Sequence, residues 1–366
     1  MSKRGKVLVA MSGGIDSTVT AMMMHEEGYE VIGITMKTWD YASSGGSGKE
    51  TGCCSLDSIN DARQVSVDMG FHHFIVDIRE EFGDYVIDDF VDEYIAGRTP
   101  NPCILCNTHI KWSALLKRAD AMDCEFIATG HYAKINQSND RYYISKAIDQ
   151  RKDQSYVLWG LSQECMARTK FPLAPYTKPE IRQMASDRGY ESLAMKAESY
   201  EICFVPDNDY RGFLKRRVPG LEERVAGGMF VDQEGKALGS HDGYPFYTIG
   251  QRKGLGGGFK TPKFVTEIRP DDNVVVLGEV DDLLRNGMIV SDINLQKFTQ
   301  ITSDYEALTM VRYNDPGSMA QINMEANGNI KAEFLSNVRG VAPGQSAVFY
   351  DGDDVIGGGR ILSSLR

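Results

Sequence analysis

Ser12-Gly13-Gly14-Ile15-Asp16-Ser17 follows directly on the apolar run Lys6-Val7-Leu8-Val9-Ala10-Met11, and that order admits few folds. It reads as a strand, a tight turn with two glycines, and a helix over residues 18–27. Gly13 and Gly14 permit a close backbone approach and dihedrals that a residue with a Cβ resists. Such a turn aims backbone N–H groups and a helix N-terminus at an anion. Ser12, Ser17 and Thr18 add hydroxyls. No lysine follows the glycines, so the loop differs from the G-x-x-x-x-G-K-[ST] phosphate loop. An ordinary Gly-Gly turn is the plain alternative; the Asp-Ser ending and the strand in front of it argue against that.

The loop resembles the SGGxDS loop of the ATP pyrophosphatases, which cleave ATP between the α- and β-phosphates and adenylate a carbonyl or carboxyl oxygen. The surrounding pattern agrees. Apolar runs at 31–36, 74–78 and 126–129 alternate with helical stretches at 56–69, 80–96 and 110–121. This rhythm predicts an α/β fold with a parallel sheet and helices on both faces. Ligands of such sheets bind beyond the carboxyl ends of the strands, where Met36 and Gly130-His131 fall with the Gly-Gly turn. Met36 also reads as plain core. Thr177-Lys178-Pro179-Glu180 is a capping-box helix start.

After about Asp207 the character changes. A helical stretch at 210–217 precedes alternating segments at 229–231, 264–269 and 274–277, the last two joined by Pro270-Asp271-Asp272-Asn273. From Met288 onward short strands dominate, with 320–324 pairing 330–334 and 347–350 pairing 357–362. Close strand spacing predicts small β-barrels. The expected domains are 1–207, catalytic; 208–280, central and β-rich; and 281–366, a C-terminal β-barrel.

No apolar run has the length of a membrane span, and the basic N-terminus leads into a strand without a signal-peptide pattern. A soluble cytoplasmic protein is therefore expected. Seven cysteines in 366 residues suit a reducing compartment, where they are core, catalytic or metal-binding. Cys124, Cys165 and Met22–Met24 read as core. Cys53-Cys54, after a Ser/Gly-rich loop, reads as part of a surface insertion or as a strained redox pair. The net charge of −11 argues mildly against a nucleic-acid partner, since phosphate neutralisation needs Lys and Arg. Much of the acid sits in 79–93, where Glu80, Glu81, Asp84, Asp88, Asp89, Asp92 and Glu93 read as the solvated face of a helix. Phe82, Tyr85, Val86, Phe90 and Tyr94 would face its core. Basic clusters lie elsewhere, at Arg151-Lys152, Lys215-Arg216-Arg217 and Arg252-Lys253 with Lys260 and Lys263.

Asn101-Pro102-Cys103-Ile104-Leu105-Cys106 lies between two predicted helices. A helix starting near Cys106 would lower that thiol's pKa and make it a nucleophile. A further cysteine, Cys203, ends the α/β segment. The C-x-x-C spacing alone fits redox chemistry, zinc or an iron–sulfur cluster, although zinc wants four ligands and no second such pair is present.

Taken together, Ser12–Ser17, Asn101-Pro102-Cys103 with Cys106, Ala128-Thr129-Gly130-His131-Tyr132, Lys152-Asp153-Gln154-Ser155-Tyr156 and Glu201-Ile202-Cys203-Phe204 resemble the bacterial tRNA-specific 2-thiouridylases. Tyr247-Thr248-Ile249-Gly250-Gln251-Arg252-Lys253-Gly254-Leu255, Val311-Arg312-Tyr313 and Pro343-Gly344-Gln345 continue the match in order. The resemblance implies ATP-dependent 2-thiolation of the wobble uridine of tRNAs for Lys, Glu and Gln. It implies ATP and Mg2+ as cofactors, and sulfur delivered as a persulfide by a cysteine desulfurase or relay protein. Cys203 would carry the persulfide and Cys106 would resolve it, ending as a Cys106–Cys203 disulfide. Ala10, Met11, Ser12, Gly13, Gly14, Ile15, Asp16, Ser17, Met36 and Gly130 would bind the nucleotide, with Asp16 helping to hold Mg2+. Asn101, Pro102, Cys103, His131, Lys152, Asp153, Gln154, Ser155, Arg312, Tyr313 and Gln345 would contact tRNA. Some family members carry Asp where Cys103 stands, so an acid/base role there is in doubt in this chain. Cys103, Cys106 and Cys203 also suit a [4Fe–4S] cluster with one iron open, which leaves two sulfur routes. An amide- or amidine-forming ligase on the same loop, and a non-catalytic tRNA-binding protein, are the other readings.

Overall fold

The computed structural model describes residues 4–39, 55–196, 202–205, 207–256 and 258–366. Cys53, Cys54 and Glu201 lie outside these. The described residues separate into two compact units. One comprises 1–86, 103–209 and 353–355; the other comprises 87–102, 210–352 and 356–366.

The first unit is built on a five-stranded parallel sheet. β1 (Lys6–Ala10), β2 (Glu30–Lys37), β3 (His72–Asp77), β4 (Phe126–Ala128) and β7 (Thr169–Lys170) stand in the order β3-β2-β1-β4-β7. An antiparallel hairpin, β5 (Ala133–Ser138) and β6 (Arg141–Lys146), is inserted after β4. Val7, Leu8 and Val9 of the central strand are wholly buried, as expected where helices cover both faces. Val7, Val9, Ala21, Met24, Ala62 and Val65 form one core layer. Ile15, Val19, Met22, Ile181 and Ala185 form another. The helix Ile15–Glu26 therefore contributes to both, and the methionines at 22 and 24 are core as expected. Strand order reverses direction across β1 and β4, and ligands of doubly wound sheets bind at that switch point.

The acidic stretch departs from expectation. It forms helices Arg79–Phe82 and Asp88–Ile95 joined by a wide-turn segment, Gly83–Ile87. The extra residue in a wide turn shifts the helical phase. Phe82, Val86, Phe90 and Tyr94 are buried, but Tyr85 is 61% exposed. Glu93, read as solvated, is only 3% exposed. Arg98 and Arg360 both pair with it there.

In the second unit, β8 (Gly228–Val231), β9 (Ala237–His241), β10 (Phe264–Arg269) and β11 (Val274–Gly278) form a four-stranded sheet in the order β10-β11-β8-β9. The turn at Pro270–Asn273 closes the β10–β11 hairpin, with Asn273 at φ +50°. Strands β12 (Leu284–Leu295), β13 (Tyr305–Met310), β14 (Ser318–Met324), β15 (Ile330–Arg339), β16 (Ser346–Asp351) and β17 (Asp354–Leu365) follow. Their order is β12-β15-β14-β13-β16-β17, and β12 pairs back onto β17 to close a six-stranded barrel. The pairing of Ala320 with Phe334 and Met324 with Ile330 is the hairpin expected from the sequence. Met288, Val290, Ala320, Ile322, Phe349 and Ile361 fill the interior. No helix among the described residues is long and apolar enough to cross a membrane.

Candidate functional site

The two glycines of the loop after β1 do different work. Gly13 has φ +70°, and a Cβ there would lie 1.9 Å from the Ser58 carbonyl oxygen at the start of helix Leu56–Met69. Only glycine fits. Gly14 has an ordinary φ of −93°, and its missing Cβ would meet nothing nearer than Ser12 Oγ at 3.5 Å. What Gly14 provides is open space above the backbone at the start of the helix Ile15–Glu26, where peptide N–H groups and the helix dipole favour negative charge.

The hydroxyls also divide. Ser12 is exposed. Ser17 is buried, accepts a hydrogen bond from the Ser12 amide at 3.1 Å and donates to the Gly14 carbonyl at 3.0 Å, so it holds the loop's shape. Thr18, expected to add a donor, is wholly buried with its hydroxyl unpartnered. Its position one residue further along turns it into the core. Met11 continues the strand by donating its amide to the Ile34 carbonyl. Ala10 and Ile15 flank the turn, and Met36 is half-buried near the carboxyl end of β2. Gly130, after β4, approaches so closely that a Cβ would lie about 3 Å from Asp16 and Ser17.

Asp16 is engaged. Lys178 Nζ donates to both carboxylate oxygens, at 2.7 and 2.8 Å, and the Tyr132 hydroxyl donates to Oδ1 at 2.8 Å. Lys178 is buried, and its backbone amide donates to Asp149. Reading the sequence missed this lysine, although a signal was there. It is the first residue of a helix, where a cation opposes the macrodipole.

The cysteine helix begins earlier than expected. Pro102–Leu105 is its first turn, Cys106–Lys111 forms a wide-turn segment, and Trp112–Ala121 completes it. Proline suits a first helical position because its missing N–H would be unpaired there anyway. Cys103 therefore takes the first turn expected of Cys106, and Cys106 is buried one turn further on. Cys103 is exposed, and desolvation pushes its thiol pKa up, opposed by the charge of Lys111. Asn107 anchors the helix by donating to the Val157 carbonyl at 3.1 Å. Cys203 is partly exposed, and its neighbour Phe204 is buried edge-on against Phe82 with ring centroids 5.8 Å apart. No disulfide joins Cys103, Cys106 and Cys203. Among the described residues no group of three His, Cys, Asp or Glu side chains is arranged to hold a metal.

The matches to known proteins span the chain. A model described as tRNA methyl transferase HUP domain matches residues 5–207. Models for a tRNA methyl transferase PRC-barrel domain and an aminomethyltransferase beta-barrel domain match residues 211–279 and 285–361. The tRNA-specific 2-thiouridylase MnmA of Amoebophilus asiaticus is 62% identical over 366 residues, 100% of this chain and 97% of that protein. The protein of the same name from Cytophaga hutchinsonii is 62% identical over the whole of both chains. That from Salinibacter ruber is 55% identical over 99% of this chain and 95% of its own. The chain belongs to the tRNA-specific 2-thiouridylase family.

The remaining positions singled out from that family fall into distinct settings. In the first unit, Asp153 accepts hydrogen bonds from the Ala147 amide at 2.9 Å and the Ser155 hydroxyl at 2.6 Å, and Ser155 is wholly buried. Burial raises the Asp153 pKa. Gln154 exchanges hydrogen bonds with the Tyr132 backbone. These three side chains thus shape a turn, while Lys152 beside them is partly exposed. His131 sits between Trp112 and Phe171, with Nδ1 2.8 Å from the Thr129 hydroxyl. Desolvation, reinforced by Lys111, pushes its pKa down to about 3, so the ring is neutral at physiological pH. In the second unit, Arg312 and Tyr313 are exposed just after β13. Asn101 is partly exposed, Pro102 is buried, and the Gln345 amide donates to the carbonyls of Thr99 and Pro100.

Proposed function

We propose that this protein is an ATP-dependent sulfurtransferase that converts the wobble uridine of tRNA to its 2-thio form. The observation that carries the reading is one unit that holds both the glycine loop at the sheet's switch point and the cysteines of the Pro102 helix and Cys203. A ligase on the same loop needs no such thiols. A binding protein with a vestigial nucleotide fold needs no Lys178–Asp16 pair.

The loop fits a nucleotide's phosphates: Gly14 leaves room, and the helix N-terminus supplies N–H groups. Ala10, Met11, Ser12, Gly13, Ile15, Ser17, Met36 and Gly130 complete this site in our reading. ATP supplies the activation that turns the uracil C2 oxygen into a leaving group. Mg2+ is bound through few carboxylates plus phosphate oxygens. Asp16 offers the carboxylate, already oriented by Lys178 and Tyr132. Were Asp16 to hold that ion, Lys178 would neutralise phosphate charge beside it.

Sulfur transfer then needs two thiols. The terminal sulfur of a Cys203 persulfide attacks C2, and AMP leaves with the former C2 oxygen. The Cys106 thiolate attacks Cys203 Sγ, which breaks the sulfur–sulfur bond, leaves the sulfur on the base and forms a Cys106–Cys203 disulfide. Splitting the transfer in this way makes each step easier.

For RNA, Lys152 offers a partly exposed cation, and Arg312 and Tyr313 offer exposed cationic and aromatic groups. Cys103 and His131 line the base in our reading, Asn101 and Pro102 are further tRNA contacts, and Asp153, Gln154 and Ser155 hold the turn beside Lys152. Single-stranded anticodon bases are read by stacking and edge hydrogen bonds. The tRNAs for Lys, Glu and Gln, a cysteine desulfurase or relay protein as donor, and domains at 1–207, 208–280 and 281–366 belong to the same proposal. The test is digestion of unmodified tRNA after incubation with the protein, ATP, Mg2+ and a persulfide donor. Appearance of 2-thiouridine supports the reading; tRNA-independent pyrophosphate release with no thionucleoside overturns it.

A further inference from the structure

A primary amide carries two N–H hydrogens, and Gln345 commits both to one loop. Its Nε2 donates to the Thr99 carbonyl at 3.0 Å and to the Pro100 carbonyl at 2.9 Å. Beside it the Thr99 amide donates to the Pro343 carbonyl at 2.9 Å. Gly344, at φ +90°, lies between them with no room for a side chain. A Cβ there would be 2.7 Å from Glu93 Oε2 and 2.8 Å from the Thr99 oxygen.

Beneath this clamp is a charged layer. Arg98 donates to both carboxylate oxygens of Glu93, and its own amide donates to the Glu93 carbonyl. Arg360 of β17 reaches Glu93 at 3.1 Å and Asp89 at 2.9 Å. Removing a cation from around the buried Glu93 leaves an uncompensated charge, so segment 98–100 is held at its backbone and at its base. The next residues are Asn101 and Pro102, and Pro102 opens the helix that carries Cys103 and Cys106.

We propose that Gln345 is a positioning residue: its amide fixes the backbone of Thr99 and Pro100, and through them the start of the cysteine helix. Only its Oε1 is left to meet RNA, so its main effect falls on the thiols and not on tRNA affinity. The inference rests on the proposed sulfur transfer for its consequence in catalysis, but not for its geometry.

The test compares full-length wild type with Gln345→Met, which keeps length and removes the donor, and Gln345→Lys, which restores one. Alkylation of Cys106 by iodoacetamide is followed by peptide mass spectrometry in RNA-free protein, beside tRNA affinity and single-turnover thiolation. Loss of two hydrogen bonds should speed Cys106 alkylation about tenfold in Gln345→Met. Thiolation should slow by about the same factor with tRNA affinity within about twofold, and Gln345→Lys should return both rates toward wild type. Should Gln345→Met fail to fold, Gln345→Asn, one methylene short, is read in the same assay and should lie between. Unchanged Cys106 alkylation with weakened tRNA binding would make Gln345 a direct RNA ligand and overturn the proposal. Wild type that makes no 2-thiouridine would sink the sulfur-transfer reading, while the alkylation comparison would still decide the clamp.

Discussion

Lys178 holds Asp16 by both carboxylate oxygens, at 2.7 and 2.8 Å, across 162 residues of chain. The pair joins the first turn of the helix Ile15–Glu26 to the first turn of the helix Lys178–Asp187. It sets the charge directly in front of the glycine loop. Lys178→Met should abolish tRNA-dependent pyrophosphate release while tRNA affinity stays near wild type. It should also cost about 2 kcal/mol of stability, less than for a fully buried pair because Asp16 is partly exposed. The double variant Asp16→Asn/Lys178→Met should lose less stability than the sum of the single changes. Additive losses in denaturant titrations would mean that the two side chains are not coupled.

Gly13 and Gly14 should respond to alanine in opposite ways. Gly13→Ala forces a Cβ into the Ser58 carbonyl at positive φ and should destabilise the fold by roughly 3 kcal/mol. Gly14→Ala should melt near wild type but bind ATP weakly, because its methyl occupies the space over the helix N-terminus. Thermal melts and ATP titrations of the two variants separate the effects, and equal destabilisation would remove the distinction.

His131 should not titrate near its usual value. Its pKa is held down to about 3 in the folded protein against 6.5 for the free side chain. Between those values the unfolded chain binds the extra proton, so stability should fall as pH drops below about 6.5. His131→Gln should flatten that fall without removing it, since burial also lowers the pKa of His73 and His241. An NMR titration showing His131 protonating near pH 6.5 would contradict this assignment.

Binding of tRNA should weaken with salt despite the net charge of −11, because phosphate contacts release counterions. Arg312→Ala and Lys152→Ala should each reduce the salt slope by about 1 and leave ATP binding intact. Slopes identical to wild type would remove both residues from the RNA surface.

Local patterns were readable in this chain and distant partners were not. The helix Leu56–Met69 is legible from its helical pattern alone, and Ser55 caps it. The β14–β15 hairpin is marked by Asn327-Gly328-Asn329. The glycine loop was placed correctly by the strand before it. Lys178 stayed hidden because it looks like an ordinary capping-box lysine until the fold brings Asp16 to it. Glu93 looked like surface because its partner Arg360 lies far away in sequence. The Pro102 helix start was missed because its wide turn at Cys106–Lys111 breaks the 3.6-residue period. Tyr85 was misassigned by the same effect in Gly83–Ile87.

The most direct test of the account measures two quantities on the same samples: tRNA-dependent pyrophosphate release and 2-thiouridine formed. Wild type, Cys103→Ala, Cys106→Ala and Cys203→Ala are each assayed with a persulfide donor and no added iron. All four should release pyrophosphate with tRNA present, because activation precedes sulfur attack. Thiolation should vanish in Cys106→Ala and Cys203→Ala and persist at least in part in Cys103→Ala, since the persulfide route needs two sulfurs. A Cys103→Ala protein as inactive as the other two, with wild-type activity that depends on iron, would contradict it.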